Sequence, residues 1–291
     1  MTRRAWGELL LLSVLWGAVY LLIEITLREL SPVVVVLGRV ATAAAMLTPL
    51  ALRYGALQPL LQHPRVVLQT VLVQSTIPLV LLTVGQQYVS SGTAGILIGA
   101  QPLVVAILTI RFAVDERPHG WPGILGILLG LVGLLLLFGV DLRGGGLELF
   151  GGLLVLGAAV CYAAGAVMIH RRLAHAAPLG VATSSMLVTT AVLLVPGLYA
   201  LPTDTPSLPV IGALLILGVV CTGGTLVLFY ALISKAGPSR AALAFYLSPA
   251  FAVGFGGVLL GEPISAPQIA GLTAILIGAA LAGRSQRESA V

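Results

Sequence analysis

The sequence predicts an all-α integral membrane protein of ten transmembrane helices, arranged as two five-helix repeats of inverted topology. Three observations predict it. The 291-residue chain is 58% apolar and only 9% charged, with a mean hydropathy of +1.09, so lipid must be the solvent for most of its surface. Apolar runs of about 20 residues, each long enough to cross a bilayer, succeed one another with short breaks. A pattern of polar and proline residues also recurs roughly 146 residues apart, the mark of an internal duplication.

The runs fall near 6–27, 33–53, 66–87, 93–113, 121–140, 149–169, 179–200, 209–233, 240–260 and 267–284. The first follows Arg3 and Arg4, as the core of a signal peptide would, but nine further spans come after it, so it reads as a retained helix. Ser31-Pro32, Ala177-Pro178, the stretch from Pro202 to Pro209 and Gly237-Pro238 are breaker clusters that mark turns. The longest polar interruption of the first half runs from Tyr54 to Pro64, and the join between halves from Asp141 to Glu148, centred on Gly144-Gly145-Gly146. That join divides a repeat at 1–143 from a second at 144–291. Gly95 and Gly99, Gly126 and Gly130, and Gly257 and Gly261 are small residues spaced to let helices approach closely within one monomer. Cys161 and Cys221 fall inside spans, where they read as small apolar packing residues.

Pro32 matches Pro178, Pro49 matches Pro196, Pro102 matches Pro249 and Glu116 matches Glu262, at offsets of 146 or 147. Five crossings per copy force the second copy to enter the membrane upside down, which is the architecture of alternating-access carriers. Pro102 and Pro249 lie mid-span behind Gln101 and Ser248, where a missing backbone donor predicts a bend facing a central cavity in each half. Lys and Arg orient the chain. With the N-terminus inside, cytoplasmic ends and loops hold all of the 15 basic residues except Arg28 and Arg143 outside and Arg39 within a span, so both termini are expected in the cytoplasm.

Trp16-Gly17, Ser31-Pro32 followed by Gly38-Arg39, Tyr88 through Gly92, and Leu259-Leu260-Gly261-Glu262-Pro263 together resemble the EamA family of the drug/metabolite transporter superfamily. Phe229-Tyr230-Ala231-Leu232, then Pro238-Ser239-Arg240-Ala241-Ala242, then Ser248-Pro249-Ala250-Phe251 is the most specific stretch of that resemblance. It implies a ten-helix inverted-repeat carrier of the bacterial inner membrane that exports amino acids, related metabolites or drugs from a cavity between the halves. Amino-acid exporters of the YddG type are the subgroup considered first, including those for aromatic or other neutral amino acids. Exporters of drugs, nucleosides or other metabolites share the fold. The chain departs from many relatives at Val19, where they carry Asn, and at Glu24, where they carry Lys. It also has Tyr162 in place of Trp and Ser248 in place of Glu, so the cavity is expected to be less charged.

Ionisable and polar side chains inside hydrocarbon need partners or a function. Glu24 and Arg39 lie in the outer thirds of adjacent antiparallel spans, and an ion pair is the simplest expectation; with Pro102 and Pro249 they are the gating or coupling candidates. Trp16, Tyr20, Gln74, Gln86, Gln87, Gln101, Tyr162, Thr225, Tyr230, Tyr246 and Ser248 interrupt apolar helices and are the substrate-cavity candidates. Gln86 and Gln87 are adjacent, about 100° apart on a helix, so at most one should face a cavity. Glu116 and Glu262 read as helix-end charges.

Other classes fit less well. The basic residues form no stripe or motif for nucleic acid. Neither H-E-x-x-H nor G-x-S-x-G occurs, no aspartate pair lies within the spans, and the four histidines sit at loops or helix ends, so no enzyme, metal site or cofactor is expected. A small-solute channel would also have a polar path, but paired mid-helix breaks fit a carrier better. The expected partners are a small-molecule substrate and the bilayer, with the chain acting as a monomer.

Overall fold

The computed structural model describes residues 3–112, 120–136, 145–236 and 243–288, and every regular element among them is a helix. The first half contains α1 (Arg3–Leu27), α2 (Pro32–Arg53), a single turn α3 (Gln58–Leu61), then α4 (Pro64–Val71), π1 (Leu72–Thr76) and α5 (Ile77–Gly85) in continuous succession. It continues with α6 (Ser91–Gly99), α7 (Gln101–Phe112) and α8 (Gly120–Leu136). The second half contains α9 (Gly146–Arg172), α10 (Pro178–Tyr199), then α11 (Leu208–Leu215), π2 (Ile216–Gly224) and α12 (Thr225–Ala236) in succession, followed by α13 (Leu243–Leu259) and α14 (Ala266–Glu288). Among the described residues, six helical runs are long and apolar enough to cross a membrane; shorter apolar helices at Ser91–Val105, Trp121–Leu136, Leu247–Leu259 and Ala266–Gly278 occupy the remaining expected spans. Large apolar side chains such as Leu128, Leu135 and Val258 point outward, as lipid requires.

Helix starts follow the breaker clusters. Pro32 and Pro178 each open a helix behind an extended residue, where the missing N–H of proline is no loss. Ser90 caps α6 by accepting from the Thr93 N–H at 3.2 Å. Gly237-Pro238 and Glu116 lie outside the described residues.

The mid-span prolines do not behave alike. Next to Pro102 the helix is interrupted at Ala100, between α6 and α7, whereas Pro249 sits inside the unbroken α13. The expected pair of matching bends is therefore realised as one break and one continuous helix. The element that does recur is the π-helix. Adding 146 to 72–76 gives 218–222, which lies within π2, so both halves widen the same span at the same place. Single-turn π insertions loosen the i→i+4 ladder and concentrate at functional sites.

Helix pairing repeats with the duplication. The α2–π2 contact has its counterpart in α10–π1, and α1–α12 in α5–α9; α1–α13 corresponds to the packing of α9 on α6 and α7, while α2–α10, α6–α13 and α8–α14 join equivalent spans. Gly99 packs on Pro249, Gly95 on Ala252 and Gly92 beside Val253, so α6 and α13, which carry the duplicated motif, run antiparallel. Leu9 and Leu12 cluster with Ala244 while Gly17 meets the backbone of Ser248 and Ala252, so α1 and α13 run parallel.

Gly95, Gly99, Gly126 and Gly130 make close intramolecular contacts, as expected. Gly257 and Gly261 do not form a helix-packing pair. Gly261 adopts φ +70° in the turn after α13, and Gly257 faces Ile264 of that same connection. At the α8–α14 contact, a Cβ added to Gly278 would lie 2.5 Å from the Gly126 carbonyl oxygen and 2.6 Å from the Gly130 nitrogen, backbone atoms that cannot rotate away. Gly278→Ala is expected to lower stability by about 1–3 kcal/mol, in the range of overpacking. Gly212→Ala, whose Cβ meets nothing within 4 Å, should leave the thermal midpoint in detergent unchanged or raised.

Candidate functional site

Helix irregularities and polar side chains meet at one place. A cavity of about 670 Å³ lies between the halves, lined from the first by Trp16, Val19 and Tyr20 of α1, Arg39 of α2, Gln74 of π1 and the α6–α7 break, and from the second by α9, Leu226 and Phe229 of α12, and α13. The volume suits a small metabolite. Ile169, His170, Leu173, Ala174 and Pro178 line it toward one face. Ser31 donates to the Ala200 carbonyl at 3.4 Å, which puts the far end of α10 beside the far end of α1. The cavity therefore extends toward the face where α1 begins.

The opposite face is closed by two carboxylates that each bridge the halves at a helix N-terminus. Glu262 accepts from the Ser91 N–H at 2.8 Å, the Ser91 hydroxyl at 2.9 Å and the Gly92 N–H at 3.2 Å, at the start of α6. Glu29 accepts from the Ser207 N–H at 2.7 Å and its hydroxyl at 2.6 Å, at the start of α11. Helix N-termini present free N–H groups and a positive dipole end, so a carboxylate is well placed at each. The Ser207 donors hold the Glu29 carboxyl below the usual carboxylate range. Gln268 adds a bond from its Nε2 to Thr93 Oγ1 at 2.9 Å.

Three aromatic rings form one wall. Trp16 stands 4.6 Å from Phe245 and 5.3 Å from Phe229 between ring centroids, and Phe229 meets Phe245 edge-on at 5.8 Å. Deeper in, Tyr20, Tyr162 and Arg39 share the polar part of the lining. Arg39 is only 9% exposed and donates from Nε to Thr222 Oγ1 at 2.7 Å. Thr222 in turn donates to the Leu217 carbonyl five residues back at 2.7 Å, so π2 holds the acceptor in place. Arg39 Nη1 and Gln74 Oε1 are buried without a protein partner.

Of the sequence-derived cavity candidates, Trp16, Tyr20, Gln74, Gln101, Tyr162 and Ser248 line the cavity, as do Arg39, Pro102 and Pro249. Neither adjacent glutamine does. Gln86 donates to the Tyr20 carbonyl at 3.1 Å, pinning the end of α5 to α1, and Gln87 is exposed. Thr225 is 1% exposed and bonds back to the Cys221 carbonyl at 2.8 Å within its own helix. The side chains of Tyr230 and Tyr246 lie outside the described ones. The expected Glu24–Arg39 ion pair is absent. Arg39 turns toward π2 and the cavity, while the charged neighbours of Glu24 are Glu262 and Arg28, one turn along and at the closed end. Phe229, Phe245 and His170 line the cavity without having been singled out. The phenylalanines look like ordinary lipid-facing residues in an apolar run, and His170 reads as a helix-end residue. Among the described residues, no three His, Cys, Asp or Glu side chains come together as a metal site requires.

A profile described as the EamA-like transporter family matches the chain twice, over residues 5–139 and 149–284. The chain belongs to the EamA-like transporter family. It is 28% identical over 273 residues to the uncharacterized inner membrane transporter YedA of Escherichia coli strain K12, covering 89% of this chain and 84% of that one. It is 28% identical over 201 residues to the uncharacterized transporter YoaV of Bacillus subtilis strain 168, covering 68% of each. An uncharacterized transporter of Archaeoglobus fulgidus is 25% identical over 279 residues, 94% of this chain and 97% of its own. A crystal structure covering 99% of both chains superposes with a TM-score of 0.69 at 19% identity, a likeness of fold alone. The cavity thus belongs to a multi-pass membrane transporter of the EamA-like family.

If the aromatic wall holds cargo, Trp16→Ala and Phe245→Ala should each cut cargo affinity by about three- to tenfold, the size expected for losing an aromatic contact. Gln87→Ala, an exposed position, should leave it unchanged; binding titrations on purified protein in detergent measure both.

Proposed function

We propose that the protein is an alternating-access exporter of small metabolites, foremost amino acids, in the bacterial inner membrane. The observation that carries this reading is the cavity between the halves: it extends to one face and is shut at the other by carboxylates that each cross from one half to the other. A channel would need a path through both faces, and the two closures argue against that. Ten spans in two oppositely oriented repeats, divided at 1–143 and 144–291, are supported by the antiparallel α6–α13 contact, the recurring π-helices and the two family matches.

The face toward which the cavity extends carries Arg53, Arg65, Arg171 and Arg172, next to the start of α1 with Arg3 and Arg4, so both termini are cytoplasmic and cargo enters from the cytoplasm. The three aromatic rings and the tyrosine and glutamine side chains fit a small molecule with an apolar body and polar ends, as neutral and aromatic amino acids have. Outward opening must separate Glu262 from α6 and Glu29 from α11. With Glu24 off the cavity and unpaired with Arg39, coupling through a Glu24–Arg39 pair has no geometric support, and facilitated exchange is the mechanism the cavity favours.

Counterflow in proteoliposomes tests the central claim: internal unlabelled amino acid should accelerate entry of labelled amino acid, and absence of trans-stimulation would exclude a carrier. The closures are tested separately. Glu262→Gln should raise labelling of a cysteine placed at Val19, in a Cys161→Ser, Cys221→Ala background, by an impermeant maleimide added from outside. An increase of about ten- to a hundredfold corresponds to losing one charge-assisted hydrogen bond. The Glu29 contact has a defined pH dependence. Its carboxyl titrates below the ordinary 4.5, so its contribution is complete above that value and is lost as pH falls through the lowered one. Because maleimide reacts with the thiolate, the readout is a ratio: outside labelling of the same cysteine relative to that in Glu29→Gln at the same pH should rise on acidification below that value.

A further inference from the structure

Among the described residues, nothing balances the charge of Arg39. Its guanidinium is permanently protonated and has five N–H donors, yet Thr222 supplies the one side-chain acceptor, at Nε, and Nη1 is buried with no protein partner. The titratable groups that face it are Tyr162, Cys221 and Tyr20, none anionic at neutral pH. Glu24, the acid expected to pair with it, is at the closed end beside Arg28. Among the described residues lining the cavity there is no aspartate, glutamate or lysine.

A buried cation without a counter-ion is strongly unfavourable, and a replacement by a neutral side chain would remove that cost. π2 keeps the group in place, with Thr222 fixing Nε, and Arg39 lines the cavity with the other edge of its planar fork unused by acceptors among the described residues. Such an edge matches the two oxygens of a carboxylate. Beyond it, the Trp16, Phe229 and Phe245 rings offer an apolar wall.

We infer that Arg39 is the anion-binding residue of the cavity, and that the cargo is a small monocarboxylate with an apolar, ring-sized body whose carboxylate takes the guanidinium N–H donors that Thr222 leaves free. This rests on the transport reading and narrows it. The same chemistry is offered by a zwitterionic amino acid and by a simple organic acid. Gln74, in the same lining, has an amide oxygen without a hydrogen-bond partner that packs against Gly165 of α9; turned to the cavity it accepts from an ammonium group and so concerns only the amino acid.

The test measures ligand-dependent thermal shifts of the purified full chain in detergent. Phenylacetate is compared with phenylacetamide, its neutral isostere, and phenylalanine with phenethylamine, which lacks the carboxylate. The wild type should prefer each carboxylate by about ten- to a hundredfold, the range for hydrogen bonds to a charged group. Arg39→Gln keeps a donor for Thr222 but no charge, and should bring the phenylacetate-to-phenylacetamide ratio close to one. A purely structural Arg39 would weaken both ligands equally and leave the ratio unchanged, which would overturn the inference.

If Arg39→Gln does not fold, Arg39→Lys retains the charge and should keep a preference for the acid; loss of that preference would count against the proposal. Equal binding of acid and amide by the wild type, or no carboxylate-dependent shift with either pair, overturns it outright. Phenylalanine binding tighter than phenylacetate, with the gap removed by Gln74→Leu, names the amino acid as the source, and the reverse order names the organic acid. Counterflow of a neutral or cationic cargo without an acid preference would sustain the carrier and end this inference, whereas acid preference without counterflow would do the opposite.

Discussion

Hydrocarbon offers no hydrogen bonds, and that constraint decides where this chain can interrupt a helix. An irregular backbone in contact with lipid would leave amide groups bare. Irregular backbone inside the bundle can be satisfied by side chains or can face water. The interruption at Ala100, π1 and π2 obey this rule. Gln74 of π1 and Pro102 beside the Ala100 break line the cavity, and Thr222 of π2 holds the arginine that does. By contrast α8, which presents apolar side chains to lipid, is regular along its described length.

The recurrence of the π-helix adds a second layer. Thr76 at the end of π1 shares a hydrogen bond of 2.9 Å with Thr189 of α10, and Thr222, 146 residues later in π2, receives Arg39 of α2. Each half therefore uses its widened span to grip the second span of the other half through a threonine. One grip is neutral and closed on itself, whereas the other holds a charged group with capacity to spare. A duplicated scaffold has been specialised on one side only, and the specialised side is the one that faces the cavity with Arg39.

Much of this architecture was legible in the residues. Run length and breaker clusters located the helices because the bilayer fixes how long an apolar segment must be, and that signal does not depend on neighbours. Trp16, Gln101 and Tyr162 were legible for a related reason, since a polar or amphipathic side chain mid-span has few places to go other than inward. The π-helices were not. Nothing in Leu72–Thr76 distinguishes a five-residue backbone bond from a four-residue one, and the neighbours of the widened segment, α9 and α10, lie far along the chain. Helix rotation was equally hidden: it turned Gln86 to the Tyr20 carbonyl and Arg39 toward Thr222 and not toward Glu24. Phe229 and Phe245 gave no signal because an inward phenylalanine and a lipid-facing one have the same hydropathy.

The two faces of the molecule differ in how their equivalent contacts are made. The duplication maps Glu29 onto His175, 146 residues later, and His63 stands before α4 as Ser207 stands before α11, at a spacing of 144. At the closed face the Glu29–Ser207 contact consists of two short hydrogen bonds to a carboxylate. At the face toward which the cavity extends, its counterpart is an edge-on approach of the His63 and His175 rings with centroids 6.4 Å apart. Charge-assisted bonds to a carboxylate are roughly twice as strong as neutral ones, and two rings at that separation make no short hydrogen bond. The stronger set of contacts lies at the face of Glu29 and Glu262, and the weaker at the face of the histidines, toward which the cavity extends. The polar asymmetry of the molecule thus lies at its rims as well as in its bundles.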